Sequence, residues 1–499
     1  MRQLSSLDAQ FLAIETKRIV GHVSGLAVLD PSTAPGGVIT AQSVCKLVGE
    51  RLHLVPPFRW RLAAVPFGLD HPYWIEDPEF DIDFHIRETA VPPPGEHEQL
   101  AELVARICAR PLDRAHPLWE LYVIHGLQEG RVGLLTKVHH AAVDGMSGAE
   151  IMSILYDLEP EGREIPDAPE GPFGERTPGG LELLGRTFLG VPRPLKALGV
   201  LPAALPRLDS VPVVGAMPGA KTVARTAMRI AKLGRGTADG GVLERTNVRA
   251  PQTRFNGRIS AHRRFAFASL PLDRVKAIKS AGGVTVNDTV VALCAGAMRR
   301  WLEERDELPD EPLVSMVPVS VRSREQMGTF GNRVSTMFVP IPTDEADPRR
   351  RLQRAHEILS SAKERHRALP ADLLADASQF IPPALAARAA RVTSEVLANR
   401  RMAPPLNLVI SNVPGPRKPL YCAGARLEHN FPVSVITDGV GLNITCLSYL
   451  DRVDFGVICC REMVEDAWTL TAAIEAELAE LDRAICGTGR QVSPPALVS

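Results

Sequence analysis

Several features that would place this chain in a familiar class are missing from its sequence. The eight cysteines are scattered and form no Cys-x-x-Cys pair, which argues against a disulfide framework or a zinc site and for reduced thiols. The N-terminus lacks the apolar core of a signal peptide, and no uncharged apolar run reaches the ~18 residues that a membrane-spanning helix needs. The formal net charge is -1, so no overall field points to nucleic acid as a partner. We therefore expect a protein that is neither secreted nor membrane-spanning, although it can still lie on a membrane.

The length and the element pattern predict a chain of more than one domain. It has 499 residues, of which 45% are hydrophobic and 23% charged, as is ordinary for a globular protein. Helix and strand patterns are mixed without regular β-α-β alternation, so α+β is as consistent with them as a doubly wound sheet. We predict an N-terminal domain over 1–160, a connecting segment over 161–254 and a C-terminal domain over 255–499.

Four local patterns carry expectations that the structure can test. Alternating apolar residues predict a strand over 84–87, and apolar spacing predicts a helix over 96–110. The short polar pair Asn287-Asp288 is expected to cap a long apolar helix that follows over 289–302. Trp119 at the start of a strand is expected to be a core residue.

The connecting segment is basic. Between positions 176 and 235 there are ten Lys or Arg and two acidic residues, a local charge of +8 interleaved with apolar side chains. Two interpretations stay open, a long linker with a solvated basic face or a cationic apolar surface that contacts anionic lipid headgroups.

Two adjacent histidines stand between a strand-like run and a helix-like run. They open the pattern His-His-x-x-x-Asp-Gly, whose members are His139, His140, Asp144 and Gly145. An unperturbed imidazole titrates near pH ~6.5, so it can take a proton from an alcohol and return it near neutral pH. Because side chains alternate along a strand, only one histidine can face a given cleft, and the other is expected to be structural. Asp144 and the permissive backbone of Gly145 would fix the turn.

Three other interpretations of the histidine pair remain open on these residues alone. Adjacent histidines chelate one metal ion poorly, and no His-Glu-x-x-His pattern or cysteine cluster accompanies them. A serine hydrolase needs a Gly-x-Ser-x-Gly elbow, whereas Ser147 lies in Gly-Met-Ser-Gly. The third interpretation is a buried histidine pair followed by a helix cap. It would be preferred for two histidines alone, but not for the complete seven-residue pattern.

The complete pattern resembles the signature of the acyl-CoA-dependent acyltransferase superfamily, which includes chloramphenicol acetyltransferase and nonribosomal-peptide condensation domains. Further segments are similar to the bacterial wax ester synthase/diacylglycerol acyltransferase family over nearly the whole chain. They are residues 4–12, residues 74–87, Pro117-Leu118-Trp119-Glu120, Asn287-Asp288, residues 411–416, and Gly441-Leu442-Asn443 with Ser448-Tyr449. One motif departs from the superfamily, because Asp454-Phe455-Gly456-Val457 only half resembles its late Asp-Phe-Gly-Trp-Gly motif.

The resemblance implies two chloramphenicol acetyltransferase-like α/β domains with mixed sheets and an active-site tunnel at their interface. It implies that His140 is the general base for direct attack of a hydroxyl on the acyl-CoA thioester, with His139 in support and no acyl-enzyme. Asn287 is the candidate for oxyanion stabilisation or positioning, with helix capping as the alternative. The residues that could line the substrate channel, or have a purely structural role, are Pro117, Leu118, Trp119, Asn287 and Asp288.

The activity implied is O-acyl transfer from fatty acyl-CoA to diacylglycerol, giving triacylglycerol, and also to long-chain alcohols, giving wax esters. Acyl-CoA is a substrate, and neither a cofactor nor a metal is expected. The alternatives are an acyltransferase for another hydroxylated lipid and a catalytically weak lipid-binding paralogue at lipid droplets. We expect the protein in the cytoplasm, in peripheral contact with the inner membrane face or with lipid droplets.

Overall fold

The computed structural model describes residues 1–142, 151–152, 155–168, 174–189, 250–320, 334–367 and 404–487. The helices in these ranges are α1 Ser6–Ile14, α2 Ala41–Arg51, α3 Ile82–His85, α4 His97–Cys108, α5 Gly180–Leu189, α6 Leu272–Gly282, α7 Val286–Glu303, α8 Pro348–Arg367 and α9 Trp468–Cys486. The strands are β1 Arg2–Gln3, β2 His22–Asp30, β3 Trp60–Ala63, β4 Tyr73–Glu76, β5 Ile86–Ala90, β6 Trp119–His125, β7 Val132–His139, β8 Arg263–Pro271, β9 Val314–Ser320, β10 Val334–Pro340, β11 Leu408–Pro414, β12 Tyr421–Cys422, β13 Ala425–Val433, β14 Leu442–Tyr449 and β15 Arg452–Cys460.

Two six-stranded mixed sheets form the frame. The N-terminal sheet has the order β12-β13-β2-β7-β6-β5, with β5 and β6 parallel and the other neighbours antiparallel. The C-terminal sheet has the order β10-β9-β11-β14-β15-β8, in which β11 runs parallel to both β9 and β14. A third, small sheet has the order β1-β4-β3. The mixed α/β architecture with two sheets confirms the predicted fold class.

The chain crosses from one half of the molecule to the other. Strands β12 and β13 come late in the sequence, yet they pair with β2 and so belong to the N-terminal sheet. In the opposite direction, helix α4 packs against β8 of the C-terminal sheet. The domain boundaries at 160 and 254 stay a prediction, and the two sheets are built from interleaved parts of the sequence.

A buried aspartate joins the two sheets. Asp454 of β15 is fully buried, and its carboxylate accepts hydrogen bonds from the Ser269 hydroxyl at 2.7 Å and from the Asn430 main-chain N–H at 2.8 Å. The Nδ1 atom of His429 lies 3.1 Å from the same carboxylate. Because Asn430 and His429 belong to β13 and Asp454 to β15, the half-matching Asp-Phe-Gly sequence lies at the sheet junction.

Replacing Gly456 by alanine tests how tightly this junction is packed. A Cβ at Gly456 would lie 1.8 Å from the carbonyl oxygen of Pro432, so either β13 or β15 would have to shift. We expect Gly456→Ala to lower the free energy of unfolding by roughly 1–3 kcal/mol, measured by urea unfolding. Gly185→Ala in α5 is the control and should keep or raise the stability, because a Cβ there meets nothing within 4 Å and alanine favours the helix. An unchanged stability of Gly456→Ala would contradict the close approach.

The element boundaries correct two local expectations. The predicted strand over 84–87 was wrong at its start, because Ile82–His85 forms one helical turn and the strand begins at Ile86. Asp81 accepts the main-chain N–H of Asp83, which favours that turn. The helix predicted over 96–110 is present as α4, and Trp119 is a buried core residue as predicted.

The capping residue of α7 also differs from the expectation. Thr285 is the N-cap, and its hydroxyl accepts the main-chain N–H of Asp288 while the Asp288 carboxylate accepts that of Thr285. The helix therefore begins before Asn287, and Asp288 completes a reciprocal capping box instead of standing outside the helix.

In the ranges given above, no single helix is long and apolar enough to cross a membrane. Helices α6 and α7 meet that criterion only when taken together across their 102° bend.

Candidate active site

Strand β7 delivers the histidine pair to its position. It is buried almost along its whole length and lies between β2 and β6, as its apolar sequence predicts. Its pairing extends to the histidines, because the main-chain N–H of His139 donates to the Leu118 carbonyl at 2.9 Å. The N–H of His140 donates to the Gly21 carbonyl at 2.8 Å. The backbone of both histidines is therefore held by neighbouring segments.

Both ring nitrogens of His139 lie close to partners inside the protein. The side chain is buried, and its Nδ1 accepts the main-chain N–H of Ala141 at 3.0 Å. An accepting Nδ1 places the proton of the neutral ring on Nε2, which lies 3.2 Å from the Glu15 carboxylate. His139 is thus fixed in one tautomer and one orientation.

Glu15, directly after α1, is the acidic partner of His139. Its carboxylate also accepts the main-chain N–H of Gly21 at 2.6 Å and the guanidinium of Arg114 at 2.7 Å. Burial acts to raise the pKa of Glu15, but the interactions with His139, Arg114 and Gly21 outweigh it and lower that pKa to about 2. Glu15 is consequently ionised at neutral pH. No local pattern in the sequence marks this residue.

Gly21 allows the close approach of these groups. A Cβ at this position would lie 2.8 Å from the His139 Nε2 atom and 3.2 Å from the Glu15 carboxylate. A side chain at residue 21 would therefore displace the ring or break its contact with Glu15. This glycine is the one local signal in the sequence that could have indicated a crowded site.

His140 lies against a different part of the N-terminal segment. Its ring stacks on the ring of Phe11, with centroids 3.9 Å apart and an interplanar angle of 15°. The residue is partly buried, and its Nδ1 atom is excluded from solvent. The two histidine rings therefore lie in different environments, and their division into a structural ring and a reacting ring stays a prediction.

The segment after α1 also contacts the C-terminal half. The Arg18 guanidinium lies 3.3 Å from the buried Asp438 carboxylate, and Arg263 donates to the Arg18 carbonyl. Asp438 in turn accepts the main-chain N–H of Ile259 at 2.9 Å. Residues 15–21 thus connect the histidine pair to the other half of the molecule.

The Pro-Leu-Trp sequence lies next to the histidines in the core. Pro117, Leu118 and Trp119 are all buried. The indole N–H of Trp119 donates to the Phe58 carbonyl at 2.7 Å, and the indole ring stacks on His85 with centroids 4.3 Å apart. This environment favours the packing role over the channel-lining role, which stays a prediction.

Asn287 and Asp288 make their hydrogen bonds with the C-terminal half. Asn412 of β11 donates to the Asn287 side-chain carbonyl at 3.4 Å. The buried Asp288 carboxylate lies 2.6 Å from Nδ1 of His356 on α8 and 3.9 Å from the Lys363 ammonium. Asn287 is half-buried, whereas Asp288 is enclosed by its own helix cap and by α8.

Strand β11, whose Asn412 donates to Asn287, reaches the core near the histidines. Val413, next to Asn412, packs against a cluster that includes Ala141, which follows His140 directly in the sequence. Leu447 and Tyr449 of the neighbouring strand β14 belong to the same cluster. The Asn287 side of the C-terminal half and the histidine turn therefore pack on one shared core.

Some predicted site residues lie outside the described residues. These are Asp144 and Gly145 of the histidine pattern, Ser147, and the larger part of the basic segment. Of the basic residues between positions 176 and 235, Arg176 and Arg186 are described, and both pair with Glu182, at 2.8 Å and 3.2 Å.

The two mixed sheets are the frame of a known class of two-halved α/β proteins. A condensation domain of the CDA synthetase superposes with a TM-score of 0.53 over 100% of this chain and 99% of that chain, at 15% identity, so it shows the shared fold. The chain belongs to the wax ester synthase/diacylglycerol acyltransferase family. The family model for the catalytic domain matches residues 4–290, and the family model for the C-terminal domain matches residues 330–482.

Individual relatives agree with this assignment. A probable diacylglycerol O-acyltransferase of Mycobacterium tuberculosis is 36% identical over 482 residues, which cover 96% of this chain and 98% of the relative. The wax ester synthase/diacylglycerol acyltransferase from Marinobacter aquaeolei VT8 has a TM-score of 0.68 at 29% identity, covering 98% of this chain and 100% of that chain. The family expected from the sequence motifs is thereby confirmed.

Proposed function

We propose that this protein transfers the acyl group of a fatty acyl-CoA to the hydroxyl of diacylglycerol, and to long-chain alcohols, forming triacylglycerol and wax esters. Membership of the acyltransferase family and the names of its relatives support this reaction. The observation that carries it is the unequal environment of the histidine pair. The His139 Nδ1 accepts the main-chain N–H of Ala141 and its Nε2 lies 3.2 Å from the Glu15 carboxylate, whereas the His140 ring stacks on Phe11.

His140 is the general base of the proposed reaction. Its Nδ1 is excluded from solvent, which leaves Nε2 as the nitrogen that can face the acceptor. The imidazole takes the hydroxyl proton as the oxygen attacks the thioester carbonyl carbon. Collapse of the tetrahedral intermediate breaks the carbon–sulfur bond, and the imidazolium returns the proton to the CoA thiolate. No acyl-enzyme is formed.

Glu15 is a positioning residue in this mechanism. It acts through His139, because its carboxylate lies 3.2 Å from Nε2 of that ring and so holds the strand end from which His140 projects. Arg114 and the Gly21 main-chain N–H hold the carboxylate in place. The stack of Phe11 on His140 restricts the orientation of the base itself.

Asn287 is the proposed donor to the oxyanion. Its side-chain carbonyl accepts a hydrogen bond from Asn412, which turns the amide N–H₂ group away from that partner. Support for a place near the reaction comes from the core that β11 shares with the histidine turn. We assign Asp288 a structural role, because its carboxylate closes the α7 cap and contacts His356.

We expect the purified full-length protein to transfer label from radiolabelled long-chain acyl-CoA to diacylglycerol and to hexadecanol in parallel reactions. Separation of the lipid products measures triacylglycerol and wax ester in the same experiment. Transfer to another hydroxylated lipid alone would redirect the proposal to that acceptor. Transfer to no acceptor, with retained lipid binding, would refute the enzymatic proposal and support a lipid-binding paralogue. Because both acceptors are insoluble in water, we place the reaction at a lipid surface, either the inner membrane face or a lipid droplet.

A further inference from the structure

The turn between β3 and β4 and the start of α5 expose large apolar side chains. Three of the six large apolar side chains that are exposed in the described part of the chain lie here, at Phe67, Leu69 and Leu181. Phe67 is 88% exposed and Leu181 87%. We propose that these three residues, which we call the apolar tip, dock the protein on a lipid surface. This inference rests on the proposed function, because it names the face by which the enzyme would reach its insoluble substrates.

The two segments of the apolar tip are held side by side. Phe67 and Leu69 flank Gly68 in the turn, and Leu181 belongs to the first turn of α5. A Cβ at Gly180 would lie 3.2 Å from the Pro66 side chain, so the turn and the start of the helix are in contact. The apolar tip is therefore one local feature although its residues are more than a hundred positions apart.

A packed base supports the apolar tip. Leu183 of α5 is buried and packs with Val65 and with Ile75 of β4. On the other face of the small sheet, Trp74 packs into the main N-terminal core. Leu183 thus fills the contact between α5 and the small sheet, and Leu181 lies outside this contact.

The backbone of Phe67 is unusual for a bulky residue. Its φ of 59° and ψ of 8° lie in the left-handed region, which a residue with a Cβ enters at a cost. With its ring 88% exposed, the side chain gains little from the rest of the chain to offset that cost. An apolar phase outside the protein would bury the ring.

Charge and shape point to lipid as the occupant. Arg176 and Arg186 share the single carboxylate of Glu182, at 2.8 Å and 3.2 Å, so two guanidinium groups lie beside Leu181, while Asp70 follows Leu69 on the other segment. Both guanidinium groups are also exposed, so anionic headgroups can reach them. Protruding apolar side chains beside arginines suit a deformable lipid interface, where the side chains insert among acyl chains below the headgroups.

The test compares two double variants of the full-length protein. Phe67→Ser/Leu181→Ser removes the apolar tip, and Val38→Ser/Leu158→Ser is the matched control, with residues 59% and 53% exposed outside the small sheet and α5. Cosedimentation is measured with phosphatidylcholine vesicles with and without phosphatidylglycerol. We expect the first variant to lose affinity at least roughly tenfold, and the control to bind as the wild type does. The affinity of the wild type should rise with phosphatidylglycerol and fall with added salt.

Other outcomes overturn the inference. Unchanged binding of the first variant, or an equal loss in both variants, would show that these side chains do not dock on lipid. If the Phe67→Ser/Leu181→Ser variant has a lower thermal unfolding midpoint and unchanged vesicle binding, the apolar tip packs against another part of this chain and not against lipid. If that variant has a smaller mass than the wild type in light scattering, the apolar tip packs against a second copy of the chain.

The activity assay separates this inference from the proposed function. Transfer from a short-chain acyl-CoA to a water-soluble alcohol needs no lipid surface. The Phe67→Ser/Leu181→Ser variant should retain that transfer at the wild-type rate and lose transfer to vesicle-borne diacylglycerol. Absence of both transfers in the wild type would refute the proposed function whatever the vesicles show.

Discussion

Replacing His140 by alanine is expected to lower kcat for acyl transfer by a factor of roughly 10²–10⁴, the range that a positioned general base contributes. The loss should appear with diacylglycerol and with hexadecanol alike, because the imidazole takes the proton from either hydroxyl. The ring is partly buried against Phe11, so its removal leaves the main core intact. Initial rates with labelled acyl-CoA measure the effect, and thermal unfolding checks the fold.

His97→Ala is the matched control for this experiment. His97 is also a partly buried histidine packed against a phenylalanine, with its ring centroid 5.3 Å from that of Phe267. The variant should keep the wild-type kcat, since His97 lies at the start of α4 and packs against Phe267 of β8, not against Phe11. Near-normal turnover of His140→Ala would remove His140 from the role of base.

Replacing Glu15 by glutamine is expected to lower kcat by roughly tenfold to a hundredfold while leaving KM nearly unchanged. The amide keeps the size of the side chain, but it loses the charge that holds Arg114 and the preference for accepting the His139 proton. A small displacement of the adjacent base is sufficient for a loss of this size. The pH profile of kcat should move as well, which a purely structural role would not produce.

Glu15→Gln should also change how the free energy of unfolding depends on pH. The Glu15 pKa falls from 4.5 to about 2 on folding, so the ionised carboxylate stabilises the fold above pH 4.5, and this stabilisation is lost as the pH falls towards 2. A shift of that size corresponds to about 3 kcal/mol at neutral pH. Urea unfolding between acidic and neutral pH should show a flatter pH dependence for Glu15→Gln than for the wild type.

Asp157→Asn separates positioning from stability. Asp157 is also a buried carboxylate paired with an arginine, at 2.5 Å from Arg51, but it has no contact with the histidine pair. It should lower stability and leave the pH profile of kcat in place. If Glu15→Gln behaves in the same way, the positioning role is wrong.

The sequence could indicate only those candidate site residues that lie close together along the chain. Adjacent residues on a strand point to opposite sides, so the unequal fates of His139 and His140 could be expected from their order alone. Glu15 could not be found in this way, since it is 124 positions before His139. A single glutamate after a helix has no distinguishing pattern, and its importance depends on contacts with Gly21, Arg114 and His139 that only the folded chain shows.

Long-range pairing limited the prediction of the fold for the same reason. The apolar runs indicated strands and helices, and the helix over 96–110 and the core position of Trp119 were confirmed. The pairing of β13 with β2 joins residues about four hundred positions apart. Local hydrophobic patterns carry no information about such partners, which is why the exchange of strands between the halves was not foreseen.

The crossing of β12 and β13 has a consequence for the order of folding during synthesis. Until residue 433 has left the ribosome, β2 is an edge strand with unpaired main-chain groups. After β7 is made, more than half of the remaining chain must be synthesised before β13 can cover this edge of the N-terminal sheet. Until then the open edge is prone to pair with other molecules. A fragment that ends at the close of the catalytic-domain match at residue 290 would keep this edge permanently. The two halves are thus a single folding unit, and the histidine turn becomes part of a finished enzyme only when the late strands arrive.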